Sequence, residues 1–175
     1  GSISTLPLGW PVRAGLENDR SFFDACSQNL KRCARHLNKM NEQHDRKIIV
    51  CIEPEPGCLL DTCDDITKFF SDHLLTGNSS EDEMILRHIG VCHDVCHSAV
   101  MFEDQKTAIQ AYRKAGIRVG KIQVSSAVAV DFDGLSQDDV RQTQAQLASF
   151  AEPKYLHQTS ARNREGDGEN TEFFE

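Results

Sequence analysis

Two short apolar runs that end in a carboxylate limit what this chain can fold into. Ile48-Ile49-Val50-Cys51-Ile52 runs straight into Glu53, and Pro54, Pro56 and Gly57 then stop the strand. Ile89-Gly90-Val91-Cys92 runs into His93 and Asp94, with Cys96 and His97 directly after. Continuous apolar runs of this length read as strands covered on both faces, the pattern of a parallel sheet. A polar group where such a run stops lies at the strand's C-terminal end, where parallel α/β folds open their pockets. Two such ends suggest one shared site.

Between the runs the period changes to helical. Phe22, Phe23, Cys26, Leu30, Cys33, Leu37 and Met40 recur at spacings of three and four, predicting a helix from about Ser21 to Gln43. Residues 60–75 predict a second helix, with Asp61 or Thr62 as its cap and an apolar stripe of Ile66, Phe69, Phe70 and Leu74. A short helical piece spans 81–86, and residues 103–115 predict another helix, stopped by Gly116. Residues 137–150 predict a last one, with Val140, Leu147 and Phe150 inward and Pro153 as its stop. Strands are expected at 3–8, 47–53, 88–93, 117–124 and 154–158. Strand and helix thus alternate five times, which specifies parallel βα units in an α/β fold. Such a series gives an open doubly wound sheet or part of a (β/α)8 barrel. A whole barrel takes roughly 250 residues, so 175 supply about five of its eight strands. No glycine-rich phosphate loop follows the first strand, which counts against the nucleotide-binding alternative. Residues 1–159 form the expected domain, and the polar segment 160–175 reads as an exposed tail.

Composition narrows the function. The net charge is −8 and the basic residues are scattered, so no footprint for nucleic acid or an anionic membrane is visible. No apolar run nears the roughly 20 residues of a membrane span, and no secretory signal pattern opens the chain. Seven cysteines, an odd number in strand and helix contexts, fit reduced thiols in a cytoplasmic protein. The opening residues read like the interior of a larger protein, and strands left with bare edges predict self-association.

The oxygen and nitrogen donors Glu53, Asp94 and His97 suit Mn²⁺, Mg²⁺, Co²⁺ or Zn²⁺ acting as a Lewis acid. Equally, Asp94 and His97 sit where a helix start needs a cap. Lys121, in an otherwise apolar strand, reads as a catalytic base or Schiff-base former, or as a lysine snorkelling outward. Gln123 and Ser125 can both donate and accept and so suit hydroxyl groups of a polyol. Trp10 can stack on a sugar face or pack on a loop.

Taken in order, Ile52-Glu53-Pro54-Glu55-Pro56-Gly57, then residues 90–97, then Gly116-Ile117-Arg118-Val119-Gly120-Lys121-Ile122-Gln123-Val124-Ser125-Ser126 resemble the xylose isomerase-like TIM barrels. Within that superfamily the chain is similar to the metabolite traffic protein EboE family, through its Ser-Ile-Ser-Thr-x-Pro-Leu-Gly opening, its Glu-Pro-Glu-Pro-Gly turn and Tyr155-Leu156-His157-Gln158. The resemblance covers about Ser2 to Gln158. It implies that the chain holds the fourth to eighth barrel strands, with Glu53 and Asp94 as metal ligands and His97 binding metal or substrate. It also implies that Gln123 stands where the family has a histidine, and that the final glutamate has no match unless His157 replaces it. The activity implied is divalent-metal-dependent isomerisation or epimerisation of a sugar or polyol, with Glu53 moving the proton. The alternative is metabolite binding and traffic without full catalysis. Nuclease-type hydrolysis would want a richer metal cluster and a basic groove.

Overall fold

A computed structural model describes residues 1–10, 19–151, 158–163 and 170–174. The chain divides into two compact units, Gly1–Ser126 and Ala127–Glu175. The first unit is a mixed α/β layer. Its strands β1 (Ser2–Thr5), β2 (Ile49–Ile52), β3 (Ile89–Asp94) and β4 (Val119–Gln123) lie side by side in chain order, every neighbouring pair parallel. Sequential order without reversal is that of a half-barrel rather than a doubly wound sheet. This parallel sheet has four described strands, not five: the strand expected at 154–158 lies almost wholly outside the described residues.

Helix α1 (Arg20–His44) starts on Asp19, whose carboxylate accepts the backbone N–H groups of Ser21 and Phe22. Helix α2 (Cys63–Phe69) starts on Thr62 in a reciprocal capping box with Asp65. The continuous helix expected over 60–75 instead passes into a π-helical turn, Phe70–Leu74, closed by Leu75 N–H to Phe70 O at 2.8 Å. The His73 carbonyl lies at the end of the helix, where carbonyls lack an intrahelical donor, and α1 takes it: Ser27 Oγ and Lys31 Nζ donate to it at 2.6 and 3.2 Å. Helices α3 (Ser79–His88), α4 (Val95–Val100) and α5 (Gln105–Lys114) complete the unit. Ile52, Ile89 and Val91 join Ile66, Phe69, Phe70, Leu74, Ile85 and Tyr112 in the main core between sheet and helices.

The opposite face of the sheet carries Ile49, Cys51 and Cys92 as a separate small cluster. This face is concave. Lys121 Nζ on β4 donates to Ser4 Oγ on β1 at 2.9 Å, although two strands lie between them. At a spacing of about 4.8 Å a flat sheet would put those strands about 14 Å apart, yet Cα atoms of β1 and β4 come within 8 Å. Small residues permit the curl. A Cβ on Gly120 would stand 2.6 Å from Cys51 Sγ, and one on Gly90 would stand 2.5 Å from the Arg118 carbonyl oxygen. Gly120 is the extra residue where the β3–β4 register shifts, so Lys121 turns onto the concave face and not outward between helices.

In the second unit, α6 (Gln137–Ala148) starts on Ser136 but buries no residue, and Phe150 is 57% exposed; the inward stripe expected of Val140, Leu147 and Phe150 is not formed. The segment expected to be a tail instead pairs Thr159–Asn163 (β5) antiparallel with Asn170–Phe174 (β6).

The Gly120 contact yields a test. Gly120→Ala is expected to destabilise the protein by about 1–3 kcal/mol through overpacking against Cys51. In urea unfolding, Cys51→Ala combined with Gly120→Ala should recover much of that loss; additive losses in the double variant would show that the two strands do not meet there.

Candidate functional site

The C-terminal ends of β2, β3 and β4 bring Glu53, Asp94 and Gln123 together, because parallel neighbours in register deliver equivalent positions side by side. Gln123 lies opposite Asp94 in the β3–β4 ladder, and Glu53 follows the last residue of β2. Gln123 uses its amide on both carboxylates: Nε2 donates to Glu53 Oε1 at 2.6 Å and to Asp94 Oδ2 at 2.7 Å. Two like charges thus flank a single neutral donor.

The other Asp94 oxygen caps α4. Oδ1 accepts from Ser125 Oγ at 2.5 Å, Cys96 N–H at 2.9 Å and His97 N–H at 3.4 Å. Burial alone would raise the Asp94 pKa, but the Ser125 hydroxyl, the Cys96 donors and the charge of His97 outweigh it and bring the group down to about 2. Asp94 is therefore a fixed, ionised acceptor. Its cap role and its role beside Glu53 coexist, one oxygen serving each.

His97, in the first turn of α4, leans back over β2. Its Nδ1 donates to the Pro54 carbonyl at 3.0 Å and lies 3.7 Å from Glu53 Oε1. Because a carbonyl can only accept, Nδ1 is the donor, and in the neutral imidazole Nε2 would be the nitrogen left to accept. Metal-binding histidines are oriented in this way, by a backbone acceptor on the other nitrogen.

Asp94, Cys96 and His97 offer a carboxylate oxygen, a thiol sulfur and an imidazole nitrogen, all within 4.8 Å of one another. These residues form a possible metal-binding cluster, and a soft sulfur beside oxygen and nitrogen suits Zn²⁺ or Co²⁺ better than Mg²⁺. Burial raises the Cys96 thiol, with the Ser125 hydroxyl acting against it, so binding a cation there would release a proton. Cys96 was not among the ligands read from the sequence. The signal was its place between Asp94 and His97 in the first helical turn.

Other expected site residues fall elsewhere. Lys121 shares the concave face, where its Nζ donates to Ser4 Oγ at 2.9 Å. His93 points to the helices: it is buried, its Nε2 donates to Gln105 Oε1 at 2.6 Å, and its ring meets Tyr112 edge-on at 6.2 Å. Trp10 is half-buried beyond β1, next to the turn where Gly9 O accepts Leu59 N–H, and is not among the residues bonded to the cluster. His157 lies outside the described residues. All seven cysteines are free thiols. Burial, then the Glu53 charge, push Cys92 up to about 12, which leaves it inert. The crevice beside Asp94, lined by Pro54, His93, Ser98, Glu103 and Tyr112, leaves no water-sized space. No helix among the described residues is long and apolar enough to cross a membrane.

No protein-family description, characterised protein or solved structure matches this chain.

Asp94 also sets a pH dependence. Its folded pKa lies below the ordinary 3.8, so the metal-free protein gains stability from it above about pH 4 and loses that stability as pH falls towards 2. Ser125→Ala should cost about 1–3 kcal/mol at pH 7, the usual worth of a hydrogen bond to a charged group. Urea unfolding in chelator at pH 7, 4 and 2.5 should show the gap to the parent narrowing as pH falls. A gap independent of pH would mean that the hydroxyl does not stabilise the ionised carboxylate.

Proposed function

We propose that this chain is the metal-binding part of a xylose isomerase-like barrel that handles a sugar or polyol-like metabolite, similar to the EboE metabolite traffic proteins. The observation that carries the reading is the convergence of Glu53, Asp94 and Gln123 at adjoining strand ends, with His97 oriented beside them. Two carboxylates sharing one neutral amide leave a negative field that a cation bound beside them would offset. Sequential parallel order and a concave sheet support a (β/α)8 origin. A divalent cation held by Asp94, Cys96 and His97 would supply Lewis acidity towards a hydroxyl or carbonyl oxygen. Glu53 and Gln123, facing the same place, would orient it by hydrogen bonds. Cytoplasmic residence, with its reduced thiols, belongs to the same proposal.

Binding is favoured over turnover by two features. Lys121 is engaged by Ser4, and the carboxylate of Glu53 is tied to Gln123 rather than aimed at open space. The second reading, an isomerase or epimerase with Glu53 as proton carrier, is supported by the position of that carboxylate beside the metal cluster.

Titration with Co²⁺ tests the site. We expect about one equivalent bound, with a near-ultraviolet sulfur-to-cobalt band that disappears in Cys96→Ser. Asp94→Asn and His97→Ala should weaken binding at least about tenfold. A folded parent that binds no Co²⁺ or Zn²⁺ would overturn the metal reading. Incorporation of solvent deuterium into an added aldose or ketose, lost in Glu53→Gln, would select the enzyme over the binding protein.

A further inference from the structure

The opposite end of the same sheet holds a second concentration of charge, of the other sign. Lys47 precedes β2, Arg87 stands in the last turn of α3 just before β3, and Arg118 precedes β4. Since β2, β3 and β4 are parallel and adjacent, the segments leading into them lie side by side, and so do these three cations. They line a cavity of about 510 Å³ together with Asn41 and Glu83. The cavity is open to solvent, and the side chains of Lys47, Glu83, Arg87 and Arg118 are all exposed around it.

Among the described residues none of the three side chains is in an ion pair or a side-chain hydrogen bond. They feel one another instead: desolvation, then the charges of Arg118 and Arg87, weaken the hold of Lys47 on its proton. The negative end of α3 accounts for Arg87, which stands in its last turn. Lys47 and Arg118 lie beyond the ends of α1 and α5, outside the last turn where that effect acts. In a chain of net charge −8, three cations with only Glu83 among them stand against the background.

We propose that this cavity binds a small multivalent oxyanion of the phosphate-ester or pyrophosphate class, at the N-terminal end of the strands and separate from the Glu53–Asp94 site. Arg87 and Arg118 present planar forks that match phosphate oxygens in pairs, and Lys47 adds a compact charge. The Asn41 amide can meet an ester or hydroxyl oxygen. Glu83 opposes the anion and sets its affinity.

Calorimetric titration of the chain with inorganic pyrophosphate, at low and at physiological ionic strength, tests this. Arg87→Ala and Arg118→Ala are each expected to weaken binding at least about fivefold, as loss of a charge-assisted pair should. Glu83→Gln is expected to tighten it severalfold, a gain that misfolding cannot imitate. Far-ultraviolet circular dichroism should match the parent in all three variants, whose altered side chains are exposed. Absence of pyrophosphate binding by the folded parent would overturn the proposal. So would equal binding by parent, Arg118→Ala and Glu83→Gln, which would mark the interaction as diffuse charge attraction.

Discussion

The Gln123 amide, 2.6 Å from Glu53 and 2.7 Å from Asp94, is the contact on which the strand-end arrangement turns. Both of its N–H groups are used, one on each carboxylate, so it links β2 to β4 across the end of β3. Without a donor there, two strand-end carboxylates would face each other across a few ångströms of largely desolvated space. The rest of the site follows from this link. Asp94 keeps its second oxygen for the start of α4, α4 then delivers Cys96 and His97, and His97 returns to β2 through the Pro54 carbonyl.

That convergence depends on the curl of the sheet, and the curl depends on what is missing from the concave face. Glycine at 90 and 120, serine at 4 and cysteine at 51 and 92 give β1 and β4 room to approach. One long residue, Lys121, then spans the hollow to Ser4. A concave face filled in this way is a packed interior, as expected inside a small barrel, and it leaves the chemistry at the rim. The rim at one end gathers carboxylates; the segments at the other gather Lys47, Arg87 and Arg118. Both gatherings arise because parallel strands in chain order bring like positions together.

Much of this was legible in the sequence. Apolar runs ending in Glu53 and Asp94 placed two strands and their pocket-facing ends, and the three-and-four spacing from Phe22 to Met40 placed α1 almost to the residue. Local pattern failed where geometry is set by distant partners. Lys121 looks outward by simple alternation, and only the extra residue at Gly120 turns it inward. The π-helical turn at Phe70–Leu74 has no local marker; the Ser27 and Lys31 donors that meet its His73 carbonyl come from α1. The stripe of α6 was read as inward-facing because apolar residues recur there, yet periodicity says nothing about whether a partner surface exists. Cys96 joins Asp94 and His97 only through the first turn of α4, a grouping that the strand-end pattern of Glu53 and Asp94 does not encode.

The central claim is that one neutral amide joins the two strand-end carboxylates. The most direct measurement is the ¹⁵N-resolved spectrum of the Gln123 side-chain amide, followed from pH 7 to pH 3, with hydrogen exchange timed for both protons. The account predicts two shifted, slowly exchanging N–H resonances at neutral pH, one of which moves when Glu53→Gln is introduced and the other when Asp94→Asn is introduced. Resonances at free-amide positions that exchange as fast as those of an exposed glutamine would contradict it.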